Sequence, residues 1–103
     1  MNVFISQPMR GFSDTEITVV REKIFEEFKL THPEAVLIDN LIMNPAQSDL
    51  KDVAHPEIVL LAMSIDRMAD ADVVIFAKGW ENYPGCRVEN RVARYYGLKI
   101  AYA

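Results

Sequence analysis

The sequence predicts an α/β domain with a four-stranded parallel sheet in the order 2-1-3-4 and helices on both faces. Three observations lead there. Short apolar runs alternate with longer stretches of helical period, the pattern of repeated strand–helix units. The strongest run, Val73 to Ala77, is apolar at every position, as in a strand covered on both sides. Right-handed crossovers between successive strands then give a parallel sheet whose simplest order is 2-1-3-4. The 103 residues suit one domain, and half of them are apolar against 25% charged, an ordinary globular balance.

Each element has its own signal. Residues 2–6 carry the run Val3 to Ile5 and form the first strand. Gln7-Pro8-Met9-Arg10-Gly11 breaks the pattern, because proline and glycine punctuate regular structure. Ser13 followed by Glu16 is a capping box, so a helix is expected over 14–30, with Ile17, Val20, Ile24 and Phe28 on one stripe and Arg21, Glu22, Glu26 and Lys29 largely on other faces. A second strand is expected over 35–38, then a polar, irregular loop over 40–55. Pro56 suits the first turn of a helix whose stripe is Ile58, Leu61, Ile65 and Met68. After the third strand, 73–77, comes the loop 78–85, then a helix from about Gly85 to Tyr96 facing the core through Val88, Val92 and Tyr95 or Tyr96. Gly97 stops that helix, and 99–102 form the last strand.

Composition excludes several classes. The net charge of −4 argues against a general binder of nucleic-acid polymers, which carries a basic face. A lone cysteine, Cys86, rules out an intramolecular disulfide and fits a reducing compartment. With one cysteine, and with His32 and His55 far apart, no metal site is expected. No apolar run approaches the roughly 20 residues of a membrane span, and no basic segment precedes the first apolar residues, so a cytoplasmic location is expected. Small size and high apolar content point to a homodimer or higher homo-oligomer.

In a sheet of this order, ligands bind beyond the carboxyl ends of the strands where the order reverses, here between strands one and three. That point gathers the loop after strand one, the 78–85 loop and the start of the last helix. Ser6, Gln7, Arg10 and Gly11 either grip a phosphate or ribose, or simply connect strand to helix. The segment has neither a G-x-G-x-x-G fingerprint nor a P-loop, so a dinucleotide cofactor is not expected. Glu89 follows Gly85 and Arg87 in the last helix. Near a helix start it is expected to stay ionised, the state a nucleophile attacking a sugar carbon must have; otherwise it complements the dipole or pairs with Arg91 or Arg94. Asp66 either reaches the site from its helix, to protonate a base or orient a sugar, or is surface acidity. Trp80 and Tyr83 stack on a nucleobase or pack on their own domain. A helix start also lowers a thiol pKa, which makes Cys86 a weaker candidate nucleophile.

ISQPMRG, ADVVIFAKGWENYPGCRVE and YGLKI resemble the nucleoside 2-deoxyribosyltransferase-like superfamily, and in particular a short branch found in phages and prophages. The resemblance covers nearly the whole chain. It implies a Rossmann-like three-layer fold and cleavage of the N-glycosidic bond of a 2′-deoxynucleoside or its 5′-monophosphate, by hydrolysis or transfer, without a cofactor. The superfamily's nucleophile lies in a G-x-G-x-E-x-G-x-A setting. Gly85 matches its first glycine, Glu89 the nucleophile and Ala93 the alanine, whereas Arg87 and Arg91 replace the other two glycines. Asp66 is similar in place to an aspartate of the preceding helix. Ser6 with Arg10-Gly11 resembles the S-I-R-G loop of the monophosphate hydrolases, two residues longer. Two arginines imply a phosphorylated ligand held by Ser6, Gln7, Arg10, Gly11 and Arg87, beside Gly79, Trp80 and Gly85. The alternative function is nucleotide binding or sequestration without catalysis.

Overall fold

The computed structural model describes residues 1–39 and 50–103. Its elements follow the order β1 (Asn2–Ser6), α1 (Asp14–Thr31), β2 (Val36–Leu37), α2 (Pro56–Met68), β3 (Val73–Phe76), a 3-10 turn (Trp80–Asn82), α3 (Pro84–Tyr95) and β4 (Lys99–Tyr102). Of the loop expected over 40–55, residues 40–49 lie outside the described residues; 51–55 are turn and irregular backbone.

All strand pairs are parallel and the order is β2-β1-β3-β4, the order expected from the sequence. Val3 stands beside Val73 and Ser6 beside Phe76, so the two central strands end level. The strand alternation sorts their side chains to two faces. Val3, Ile5, Val73 and Ile75 pack with Ala35 against Ile24, Phe25 and Phe28 of α1. Phe4, Val74 and Phe76 pack with Met68 and Ala93, and with Ile65 of α2 and Val92 of α3. The fold is therefore α1, sheet, then α2 with α3: a Rossmann-like three-layer arrangement. No helix among the described residues is long and apolar enough to cross a membrane.

The signals at helix ends translate directly. Ser13 Oγ accepts from the Glu16 N–H at 3.1 Å while Glu16 Oε1 accepts from the Ser13 N–H at 3.0 Å, the reciprocal capping box. Gly97 takes φ +70°, and the Leu98 N–H donates to the Ala93 carbonyl at 2.9 Å, closing α3 with a Schellman turn.

Three expectations about inward faces are corrected. In α3 the buried residues are Cys86, Glu89, Asn90 and Ala93, spaced three, one and three apart. Val88, Tyr95 and Tyr96 are 40%, 76% and 80% exposed, because 88 and 95 are two turns apart on the outward side; Val92 is half-buried. In α1, Arg21 is buried and Val20 is 43% exposed. The α1 stripe runs through Ile17, Arg21, Ile24 and Phe28, and Arg21 is drawn in because its Nη2 donates to the Ile38 carbonyl at 2.6 Å. Burial pulls the Arg21 pKa below its ordinary value, and the nearby Asp39 charge opposes that shift. In α2, Ile58, in the first turn, is 64% exposed.

Candidate functional site

The carboxyl end of β1 divides the site. Ser6 and Gln7 are neighbours in an extended segment, so they point to opposite faces. Ser6 turns towards α3 and Gln7 towards α1.

On the α3 side, Glu89 is 7% exposed. The Ser6 hydroxyl donates to Oε1 at 2.7 Å and the Ser64 hydroxyl, from α2, donates to Oε2 at 2.6 Å. Three elements thus converge on one carboxyl. Burial pushes its pKa above the usual 4.5, and the two hydroxyl bonds pull the other way. Burial therefore acts against the ionised form that a helix start was expected to favour. The helix begins at Pro84, so Glu89 sits in its second turn, where the dipole has faded and desolvation dominates. Cys86, one turn earlier, is buried, and desolvation with the nearby Glu89 raises its thiol pKa to about 11. It is not the activated thiol that a helix start produces.

Ser64 escaped the sequence reading, which looked to Asp66. The structure places Asp66 on the exposed side of α2. Two residues along a helix turn the side chain by about 200°, so Asp66 and Ser64 cannot share a direction. Asp72 lies at the other end of the sheet, where its Oδ2 accepts from the Asn2 N–H at 2.6 Å. The signal that could have found Ser64 is its spacing: with Leu61 and Met68 it lies on the α2 side that meets α3 and the sheet.

The two loops meet as topology requires. The Tyr83 hydroxyl lies 3.5 Å from the Arg10 carbonyl, at the limit of a hydrogen bond. Gly79 adopts φ +87°, which turns the chain into the 3-10 segment beside Pro8. Gly85 lies half-buried in the first turn of α3, next to Leu61. Arg10, Gly11 and Arg87 are exposed. Trp80 is engaged within its own domain: its ring stacks on Tyr102 at 5.7 Å and tilts against Phe76 at 5.4 Å. Buried Asn90 donates through Nδ2 to the Tyr102 hydroxyl at 3.3 Å, tying that cluster to α3.

On the α1 side lies a cavity of about 450 Å³, in the range that admits a small ligand. Its walls include Gln7, Pro8, Phe12, Val20, Ile24 and Lys78. Gln7 Nε2 donates to the Ile17 carbonyl at 3.0 Å, so this side chain is fastened to α1. Glu89 does not line the cavity; the sheet end separates them. Glu89, a buried carboxyl with a hydroxyl donor on each oxygen, is the candidate catalytic group at this end of the sheet.

A parallel β2-β1-β3-β4 sheet with the carboxyl at its reversal point spans the length over which the chain matches one family. The chain belongs to the DUF4406 family, a domain of unknown function, which matches residues 1–102. No curated protein and no solved structure matches it. The DUF4406 match takes in every element described above, from β1 to β4, and so both sides of the β1 end.

Proposed function

We propose that this DUF4406 protein hydrolyses the N-glycosidic bond of a 2′-deoxynucleoside 5′-monophosphate in the cytoplasm, with Glu89 as the nucleophile. The observation that carries the reading is the buried Glu89 carboxyl with a hydroxyl donor on each oxygen. Such a carboxylate is oriented and shielded from water, as covalent attack on a sugar carbon needs. The exposed Arg10 and Arg87 flank the same sheet end and supply the charge that a phosphate would meet. The resemblance to the nucleoside 2-deoxyribosyltransferase-like superfamily supports the substrate class.

In this reading the division of labour shifts. Ser6 serves the carboxyl rather than a phosphate, since its hydroxyl is spent on Glu89. Asp66, on the exposed side of α2, is given no part in protonating the base here. The base takes its proton from water in this reading.

A second reading is binding without catalysis: exposed Arg10 and Arg87 offer charge to a phosphate, while burial works against the ionised form of Glu89 that attack needs. One experiment separates the two. Wild type and Glu89→Ala are incubated with each deoxynucleoside monophosphate, free base is measured by liquid chromatography, and thermal stability is followed alongside. Base released by wild type alone is the expected result. No release, together with stabilisation by one nucleotide, would replace hydrolysis by binding, because a ligand stabilises the state it binds.

A further inference from the structure

The two hydroxyls on Glu89 come from different kinds of support. Ser6 is 1% exposed and belongs to β1, which is paired on both sides by β2 and β3. Ser64 is half-buried and belongs to α2, which is no part of the sheet. The carboxyl oxygens are therefore unequal. Oε1 lies 2.7 Å from the Oγ of fully buried Ser6, and Oε2 lies 2.6 Å from the Oγ of half-buried Ser64. With one donor the carboxyl plane could still turn about its last bond. Donors on two separate elements stop that rotation.

We propose that Ser64 is a positioning residue: from α2 it fixes the plane of the Glu89 carboxyl and presents Oε2 as the oxygen that attacks. This rests on the N-glycosidase reading above. Each carboxylate oxygen has two lone-pair sites, so Oε2 can accept from Ser64 and still reach a sugar carbon. The bond from Oε2 to C1′ forms as the C1′–N bond breaks; its electron pair leaves with the base, which takes a proton from water. Oε1 becomes the ester carbonyl and goes on accepting from Ser6. Water then adds its oxygen to C1′, the Oε2–C1′ bond breaks, the carboxylate is restored, and the water's proton returns to solvent.

Among the described residues, Glu89 meets Ser6 from β1, Ser64 from α2 and Cys86 from its own helix. The Cys86 thiol, with its pKa at about 11, is neutral at neutral pH, and the hydroxyls support the buried charge. Removing one of them therefore disfavours the ionised, attacking form.

The test is a carboxyl-carbon NMR titration of Glu89, assigned with Glu89→Gln, in wild type, Ser64→Ala and Ser64→Thr, with base-release kinetics on the same proteins. In Ser64→Ala the Glu89 midpoint is expected to move upward. At pH 7 kcat should fall about ten- to a hundredfold, the usual worth of a hydrogen bond to a charged group, with KM nearly unchanged and the deficit shrinking at higher pH. Ser64→Thr, which keeps the hydroxyl, should restore both. An unmoved midpoint in Ser64→Ala overturns the proposal, and so does a moved midpoint with unchanged kcat. If wild type releases no base at all, the glycosidase reading fails, while the midpoint still decides whether Ser64 holds the carboxyl.

Discussion

Helices α1 and α3 cover opposite faces of one sheet and bury opposite kinds of surface. From α1, Ile17 is buried and Ile24, Phe25 and Phe28 are half-buried against Val3, Ile5, Val73 and Ile75. From α3, three of the four buried residues, Cys86, Glu89 and Asn90, are polar or ionisable. Each helix buries one charged type, but the two are satisfied differently. Arg21 of α1 is tied to a backbone carbonyl at the end of β2 and lies near the Asp39 charge. Glu89 of α3 is held by two neutral hydroxyls, and burial raises its pKa. Burying a carboxyl on those terms works against stability. A fold carries such a group at a functional site far more readily than in its framework. The α1 face packs apolar side chains beside a groove; the α3 face buries the carboxyl on which the proposed hydrolysis rests.

The largest expected effect tests whether the α3 face is nevertheless packed as a core. Phe4 is fully buried on that side, and Phe4→Ala should cost about 3–5 kcal/mol in urea unfolding. A loss below about 1 kcal/mol would mean that the face is loosely filled and the contrast with α1 is one of packing, not of polarity.

A smaller effect, of opposite sign, sharpens the cost of Glu89. Its pKa in the folded protein lies above the usual 4.5, so the folded state binds more protons in the interval between the two values. Stability from this group is complete below about pH 4.5 and is lost as pH rises through the folded pKa. Glu89→Gln removes the charge while keeping a group that both accepts and donates. The variant should match wild type near pH 4 and exceed it at pH 7 in thermal unfolding. A Gln variant less stable than wild type at neutral pH would show that the ionised form is well paired after all.

The smallest effect belongs to α1. Ser13→Ala removes one half of the capping box and should cost about 1 kcal/mol. Measured by urea unfolding, it should leave base release per folded molecule unchanged, because the α1 face does not touch Glu89. Lost activity at full folding would break the separation of the two faces.

The residues divide by how local their signals are. Ser13 with Glu16, Pro56, the apolar run from Val73 and Gly97 each announce a boundary through short-range chemistry, and each lies where that chemistry puts it. Strand β2 shrinks to Val36–Leu37 from the expected 35–38, yet its neighbours still reach the sheet, with the Ile38 N–H donating to the Val3 carbonyl at 2.8 Å. The inward face of α3 was not legible. Hydrophobic periodicity selects Val88 and Tyr95, and this helix buries a carboxyl and an amide instead. The importance of Glu89 came from its place at the reversal of the sheet and from family resemblance, not from periodicity. For Trp80 the sequence leaves open a nucleobase or its own domain as the packing partner; Tyr102, 22 positions on, comes round in β4 to stack on it.

By itself the sequence determined the parallel sheet, its order and the meeting of the first loop with the 78–85 loop, because strand patterning, caps and crossover handedness are local or nearly so. Only the tertiary structure decided what surrounds Glu89. Ser6, Ser64 and Glu89 are 58 and 25 positions apart along the chain, and no spacing rule links them. Their meeting depends on how α2 and α3 lie against the end of β1, and the burial that this packing imposes pushes the carboxyl's pKa up while the two hydroxyls pull it down.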